Sequence, residues 1–162
     1  MHYSQKYCLV SLIKPLAIGT EFDMTDWPLH VTLANVVEIE RAKTDIDRKL
    51  KELFAVQPVV TTIAGEDASF GTTRVVLLEP NDGLISLHNR LIDLLEANGA
   101  VFNSPEYMRA GFVPHCTVQK SGRLHEGDRV TIDKITLVDM FPDQNWQRRK
   151  VLNIFTLQES KP

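Results

Sequence analysis

The pattern that most constrains this chain is a short apolar segment that occurs twice, Leu29-His30-Val31-Thr32-Leu33 and Pro114-His115-Cys116-Thr117-Val118. Each reads His, any residue, Thr, aliphatic, within a run short enough to be a strand. Side chains alternate faces along a strand, so residues i and i+2 point the same way about 6.5–7 Å apart. His30 and Thr32 therefore share one face, with Val31 and Leu33 turned to a core. His115 and Thr117 do the same, with Cys116 and Val118 behind them. With five His in 162 residues, chance yields such a pair on the order of once in 500. A single copy would say little.

The rest of the chain alternates strand-like and helical segments. Residues 7–13 read as a buried strand stopped by Lys14-Pro15, and 18–28 as a polar connection ending in Trp27-Pro28. Over 39–54, Ile39, Ala42, Ile46, Leu50 and Leu53 make one apolar stripe, which predicts a helix with a solvated charged face. Segments 59–64 and 74–78 are strand-like, around a turn at Phe70-Gly71. Pro80-Asn81-Asp82-Gly83 is helix-start chemistry, and 84–97 predicts a second helix that stops at Asn98-Gly99. Residues 101–113 read as a loop leading to the second motif, followed by strands over 129–138 and near 151–157. No low-complexity tract or short-period repeat occurs, so the whole of 1–162 is expected to be a single domain.

Imidazole has a free pKa of about 6.5 and serves as donor or acceptor near neutrality. Breaking a phosphodiester needs one group to take a proton from the attacking oxygen and another to protonate the leaving oxygen. Two His on opposite sides of phosphorus divide those tasks, each role worth typically ~10²–10⁴-fold. The hydroxyls of Thr32 and Thr117 are then donors to the non-bridging oxygens, where charge accumulates. This scheme requires no metal. Zinc sites bring three or four ligands at recognisable spacings, whereas His115 and Cys116 face opposite ways and neither H-E-x-x-H nor C-x-x-C is present.

On these residues the chain resembles the 2H phosphoesterases, which include the 2′-5′ RNA ligase-like proteins and various cyclic phosphodiesterases. Pro28-Leu29-His30-Val31-Thr32-Leu33 is similar to the first of their two H-x-[ST]-hydrophobic motifs. Phe112-Val113-Pro114-His115-Cys116-Thr117-Val118 looks like the second, with its preceding aromatic and proline. The resemblance implies an α+β fold of two similar lobes, each an antiparallel sheet with a helix, flanking a central cleft that takes one motif strand from each lobe. It also implies metal-independent phosphodiesterase activity on 2′,3′-cyclic phosphate or 2′-5′-linked nucleotide and RNA ends, with reversible 2′-5′ ligation as the same chemistry run backwards. His30 and His115 would be the catalytic acid and base, in an order the residues do not assign. The alternative is a non-catalytic phosphate- or RNA-end-binding module with the same cleft.

Other polar residues are weaker candidates. Tyr107, Arg109 and Phe112 precede the second motif, where a loop can cover a cleft; an Arg there can pair with phosphate and an aromatic can stack on a base. Lys120, Arg123, Arg148 and Arg149 are further basic candidates. His88 shares the apolar stripe of the second helix and reads as a satisfied core-edge histidine. His2 and His125 read as solvent-facing. Cys8 and Cys116 are expected to be reduced core filler.

Charge narrows the partner. Eighteen basic against 21 acidic residues give a net charge of −3. Neutralising phosphates dominates binding to long nucleic acid and favours basic proteins. A small nucleotide or the end of an RNA fits this balance better than a long duplex. The apolar run 8–13 is far too short to span a bilayer, and no signal or lipidation pattern is evident. A cytoplasmic monomer with no cofactor and no membrane partner is expected.

Overall fold

The computed structural model describes residues 5–158. Its strands are β1 (Lys6–Leu12), β2 (Glu21–Asp23), β3 (His30–Glu38), β4 (Val60–Phe70), β5 (Thr73–Leu78), β6 (Val101–Phe102), β7 (His115–Thr117), β8 (Arg129–Ile132), β9 (Lys134–Asp139) and β10 (Arg148–Thr156). The α-helices are α1 (Arg41–Thr44), α2 (Ile46–Ala55) and α3 (Asp82–Ala97). The strands pair antiparallel in the order β2-β10-β9-β1-β3-β7-β5-β4-β8, with β6 on β3.

The two-lobed expectation corresponds to two sectors of this sheet. One is β2-β10-β9-β1-β3, built from both ends of the chain, and the other is β7-β5-β4-β8, built from its middle. They meet between the two motif strands, through the single Cα pair Val31–Cys116. α2 packs on β10, with the Phe54 and Phe155 rings 5.6 Å apart. α3 lies against β3 and is tied at its start to β4, where Asn81 Nδ2 donates to the Thr61 carbonyl (2.9 Å).

Period-2 alternation sorts the sheet's side chains into two faces. Val31, Leu33 and Val37 of β3, Cys116 of β7, and Val76 and Leu78 of β5 point to the helices and join the main core. There they meet Leu50 and Phe54 of α2 and Leu84, Leu87, Leu91, Ile92 and Leu95 of α3. Burying each such side chain contributes roughly 1.5–3 kcal/mol. Cys8, Val10 and Val138 face the other way, in a smaller cluster with Leu12, Phe22, Trp27 and Met140. Both thiols are buried and free, and burial pushes them up to about 12 for Cys8 and about 11 for Cys116, as inert core residues require.

Three expected elements differ in detail. The helix over 39–54 is broken at Asp45, whose left-handed backbone (φ 52°) ends α1 and starts α2. Ile39 reaches the core from extended chain before it. The strand over 129–138 changes sector at Asp133: β8 pairs with β4, β9 with β1 and β10. The loop 101–113 holds β6 and two successive 3₁₀ turns, Pro105–Tyr107 and Arg109–Gly111. His2 lies outside the described residues, and no helix among those described is long and apolar enough to cross a membrane.

Candidate active site

The helix-free face of the sheet carries both motifs. Val31 and Leu33 are fully buried towards the helices, as is Cys116, so His30, Thr32, His115 and Thr117 emerge on the opposite side. Pairing with the neighbouring strands agrees: Leu12 lies opposite His30 and Val10 opposite Thr32, while Leu77 lies opposite His115 and Val75 opposite Thr117. The antiparallel register through Val31 and Cys116 sets His30 across from Thr117 and Thr32 across from His115. The four groups thus occupy a rectangle about 5 Å by 7 Å, with the imidazoles on one diagonal and the hydroxyls on the other. The two His backbones thus lie roughly 8 Å apart along that diagonal.

The two imidazoles are held identically. His30 Nδ1 bonds the carbonyl of Pro28 (2.8 Å), and His115 Nδ1 bonds the carbonyl of Val113 (2.7 Å). A carbonyl only accepts, so each ring carries a proton on Nδ1, which leaves Nε2 as the nitrogen that can exchange a proton. Each ring also rests on an aromatic one. Trp27 lies 4.7 Å from His30, centroid to centroid, and Phe70 lies 4.9 Å from His115, edge to face. Burial holds the His30 pKa below its ordinary value, and positive charge on His115 pushes the same way, while the Pro28 carbonyl opposes both. That the charge of His115 reaches His30 agrees with their diagonal placement.

A cavity of about 760 Å³ opens beside this rectangle. Thr32 and His115 line it; His30 and Thr117 do not. Tyr107 in the first 3₁₀ turn, Phe112 just after the second, and Phe70 line it too. Tyr107 is 59% exposed, so its ring is available to a ligand. Phe112 is stacked flat on His88, 3.8 Å between centroids and 6° between planes.

Arg109 is placed otherwise than the sequence suggested. It does not line the cavity, and its guanidinium pairs with Asp93 and Glu96 on α3 (2.7 and 2.9 Å). This placement turns it to α3 rather than to the cavity, unlike the phosphate contact expected of it. Of the other basic candidates, Arg123 is held by Asp67. Arg149 donates to the carbonyls of Met140, Trp146 and Arg148, and its cation lies 5.9 Å from the Trp27 ring. Lys120 and Arg148 lie within electrostatic reach of Asp23. His125 is exposed. Among the described residues, no group of three or more His, Cys, Asp or Glu is placed to hold a metal ion.

Sequence reasoning did not single out Trp27 and Phe70 as supports of the imidazoles. Trp27, three residues before His30, was within its reach. Phe70 is 45 residues from His115, and only the fold brings them together.

The model of the 2′-5′ RNA ligase superfamily matches residues 19–146, a span containing both motifs. No curated protein sequence matches. Among solved structures, a phosphoesterase superposes with a TM-score of 0.63 at 19% identity, covering 96% of this chain and 99% of that one. LigT of E. coli, crystallised with 3′-AMP, gives 0.62 at 19% identity over 96% and 99%. The protein TT0787 of Thermus thermophilus gives 0.58 at 15% identity over 96% and 100%. At these identities the likeness is one of fold.

Proposed function

Because the chain belongs to the 2′-5′ RNA ligase superfamily, we propose that it is a metal-independent phosphodiesterase of 2′,3′-cyclic phosphate or 2′-5′-linked nucleotide and RNA ends. The observation that carries this reading is the matched pair of Nδ1 bonds to Pro28 and Val113. Both rings thereby keep Nδ1–H on the backbone and leave Nε2 as the nitrogen that exchanges protons. A scaffold histidine needs only one satisfied nitrogen; two rings with the same free nitrogen on one face suit a reaction with two proton transfers.

In the proposed reaction His30 is the base and His115 the acid. Burial favours the neutral form of His30, which is the form a base needs. His30 Nε2 takes the proton of an attacking water as its oxygen bonds to phosphorus. The opposite P–O bond breaks, and Nε2–H of the protonated His115 delivers its proton to the departing oxygen. A positive His115 further lowers the proton affinity of His30, so the charge states of the pair reinforce each other. Thr32 and Thr117, on the other diagonal, donate to the non-bridging oxygens as charge builds there. With a ribose 5′-hydroxyl in place of water, the same transfers join a cyclic phosphate end to a second strand by a 2′-5′ bond. The aromatic cavity beside His115 accommodates the nucleoside, and the 3′-AMP crystallised with E. coli LigT is a ligand of that class.

The test is hydrolysis of 2′,3′-cyclic nucleotides and 2′-5′ dinucleotides with EDTA present. We expect turnover with a bell-shaped pH profile, reduced roughly 10²–10⁴-fold in His30→Ala and in His115→Ala. Metal-dependent turnover that survives both substitutions would overturn the mechanism. Binding without turnover would select the non-catalytic reading instead.

A further inference from the structure

α3 buries Leu84, Leu87, Leu91, Ile92 and Leu95, and among them one polar ring, His88, which is 1% exposed. An imidazole costs more to bury than a leucine unless its nitrogens are satisfied. Both are, and both by backbone atoms flanking the two motifs. His88 Nδ1 bonds the carbonyl of Leu33 (2.6 Å), the residue after Thr32. His88 Nε2 receives the backbone N–H of Arg109 (3.0 Å), six residues before His115. A donor at one nitrogen and an acceptor at the other define a neutral ring with its proton on Nδ1.

The ring face is also used. Phe112 lies flat on it, and the next residue, Val113, supplies the carbonyl that orients His115. Arg109 has a left-handed backbone (φ 57°), which non-glycine residues rarely adopt. Its N–H on His88 and its guanidinium on Asp93 and Glu96 pin that conformation to α3. The loop 105–113 is therefore fastened to the first motif strand through one side chain.

From this geometry we infer that His88 is a positioning residue, which sets the orientation of His115 by tying the carbonyl after Thr32 to the turn and aromatic ring before the second motif. It touches no reacting atom; it acts through Phe112, Val113 and the Nδ1 bond of His115. The inference rests on the acid–base reading of His115 for its consequence in turnover, but not for its structural readout.

The test uses the full chain with ¹⁵N-labelled imidazoles. In the wild type, long-range ¹H–¹⁵N spectra at pH 7 should give His88 the pattern of a neutral ring protonated on Nδ1, and should show the Nδ1 proton of His115 held in place. His88→Phe keeps an aromatic surface for Phe112 and removes both hydrogen bonds. A folded His88→Phe protein, judged by a cooperative melt, should show His115 shifting to a mixture of tautomers. Its kcat on a 2′,3′-cyclic nucleotide should fall about 10–100-fold with KM changed less than about threefold, the loss expected of a misplaced group. An unchanged His115 pattern with unchanged kcat overturns the inference, and so does a wild-type His88 that is doubly protonated or protonated on Nε2. Should His88→Phe fail to fold, Phe112→Leu serves instead, and a His115 pattern identical to wild type there overturns it. If the wild type shows no turnover but the His115 tautomer still depends on His88, the enzymatic reading fails and the positioning role stands.

Discussion

A Cβ built on Gly111 would overlap the carbonyl oxygen of Glu106. The obstacle is main chain within the same pair of 3₁₀ turns, so no rotamer change relieves it. Gly111→Ala should therefore cost at least roughly 1–3 kcal/mol, the usual range for forced overpacking, read as a lower urea midpoint with an unchanged slope. An unchanged midpoint would mean the turns are not wound as described. At this scale the sequence reported the motif side chains well, because a strand's period of two fixes facing without knowledge of neighbours. His30, Thr32, His115 and Thr117 do share one face of the sheet. Arg109 was misread because its partners, Asp93 and Glu96, are three residues apart on a helix whose orientation the sequence does not supply. An arginine near a candidate cleft looks like a phosphate ligand until two carboxylates are found to hold it. His88 was read as a satisfied core histidine, and it is; what the sequence could not convey is that its partners are the flanks of both motifs.

Elements were legible where one helix or strand faces one neighbour throughout. α3 starts within two residues of the expected point, because Asn81 caps it: its side-chain oxygen accepts from Leu84 N–H at 3.0 Å. Asn81 also donates to Thr61 on β4, so the cap fixes both the helix start and its seat on the second sector. Asn81→Ala should lower stability by about 1 kcal/mol, and Asn81→Asp, which keeps the accepting oxygen but cannot donate to the Thr61 carbonyl, should recover only part of that loss. Chemical denaturation measures both, and an alanine variant as stable as the wild type would remove the cap from the account. The breaks at Asp45 and Asp133 were not legible. Periodicity continues across Asp45 because Ala42 and Ile46 still fall on one stripe, although the backbone there turns left-handed. The strand 129–138 keeps its β character across Asp133, yet its two halves pair with different sectors, a choice made by tertiary contacts alone.

The whole molecule joins two sheet sectors along a single seam, and the seam is where imidazoles are buried. His30 lies on its open face and His88 beneath it, and burial holds the pKa of each below the ordinary imidazole value. The sign follows from linkage. A histidine depressed in the folded state is protonated first in the unfolded chain, so the unfolded state binds more protons as pH falls below about 6.5. Stability is then full above that value and is lost progressively as pH drops towards the folded pKa values. Asp139 works in the opposite sense, since burial raises its carboxyl, so it offsets part of that loss as pH falls. Asp47, lowered by Arg41, gives up its contribution only below the ordinary carboxylate range. The net expectation is a melting temperature that is flat from about pH 8 to 7 and falls progressively as pH drops below about 6.5. In a folded His88→Phe protein that fall should be shallower, because one of the two depressed imidazoles is gone while His30 remains. Thermal melts of both proteins at half-unit pH steps make the comparison. A melting temperature that is constant or rises over that window would show that the seam does not hold its histidines neutral, and would take with it the assignment of His30 as the resting base.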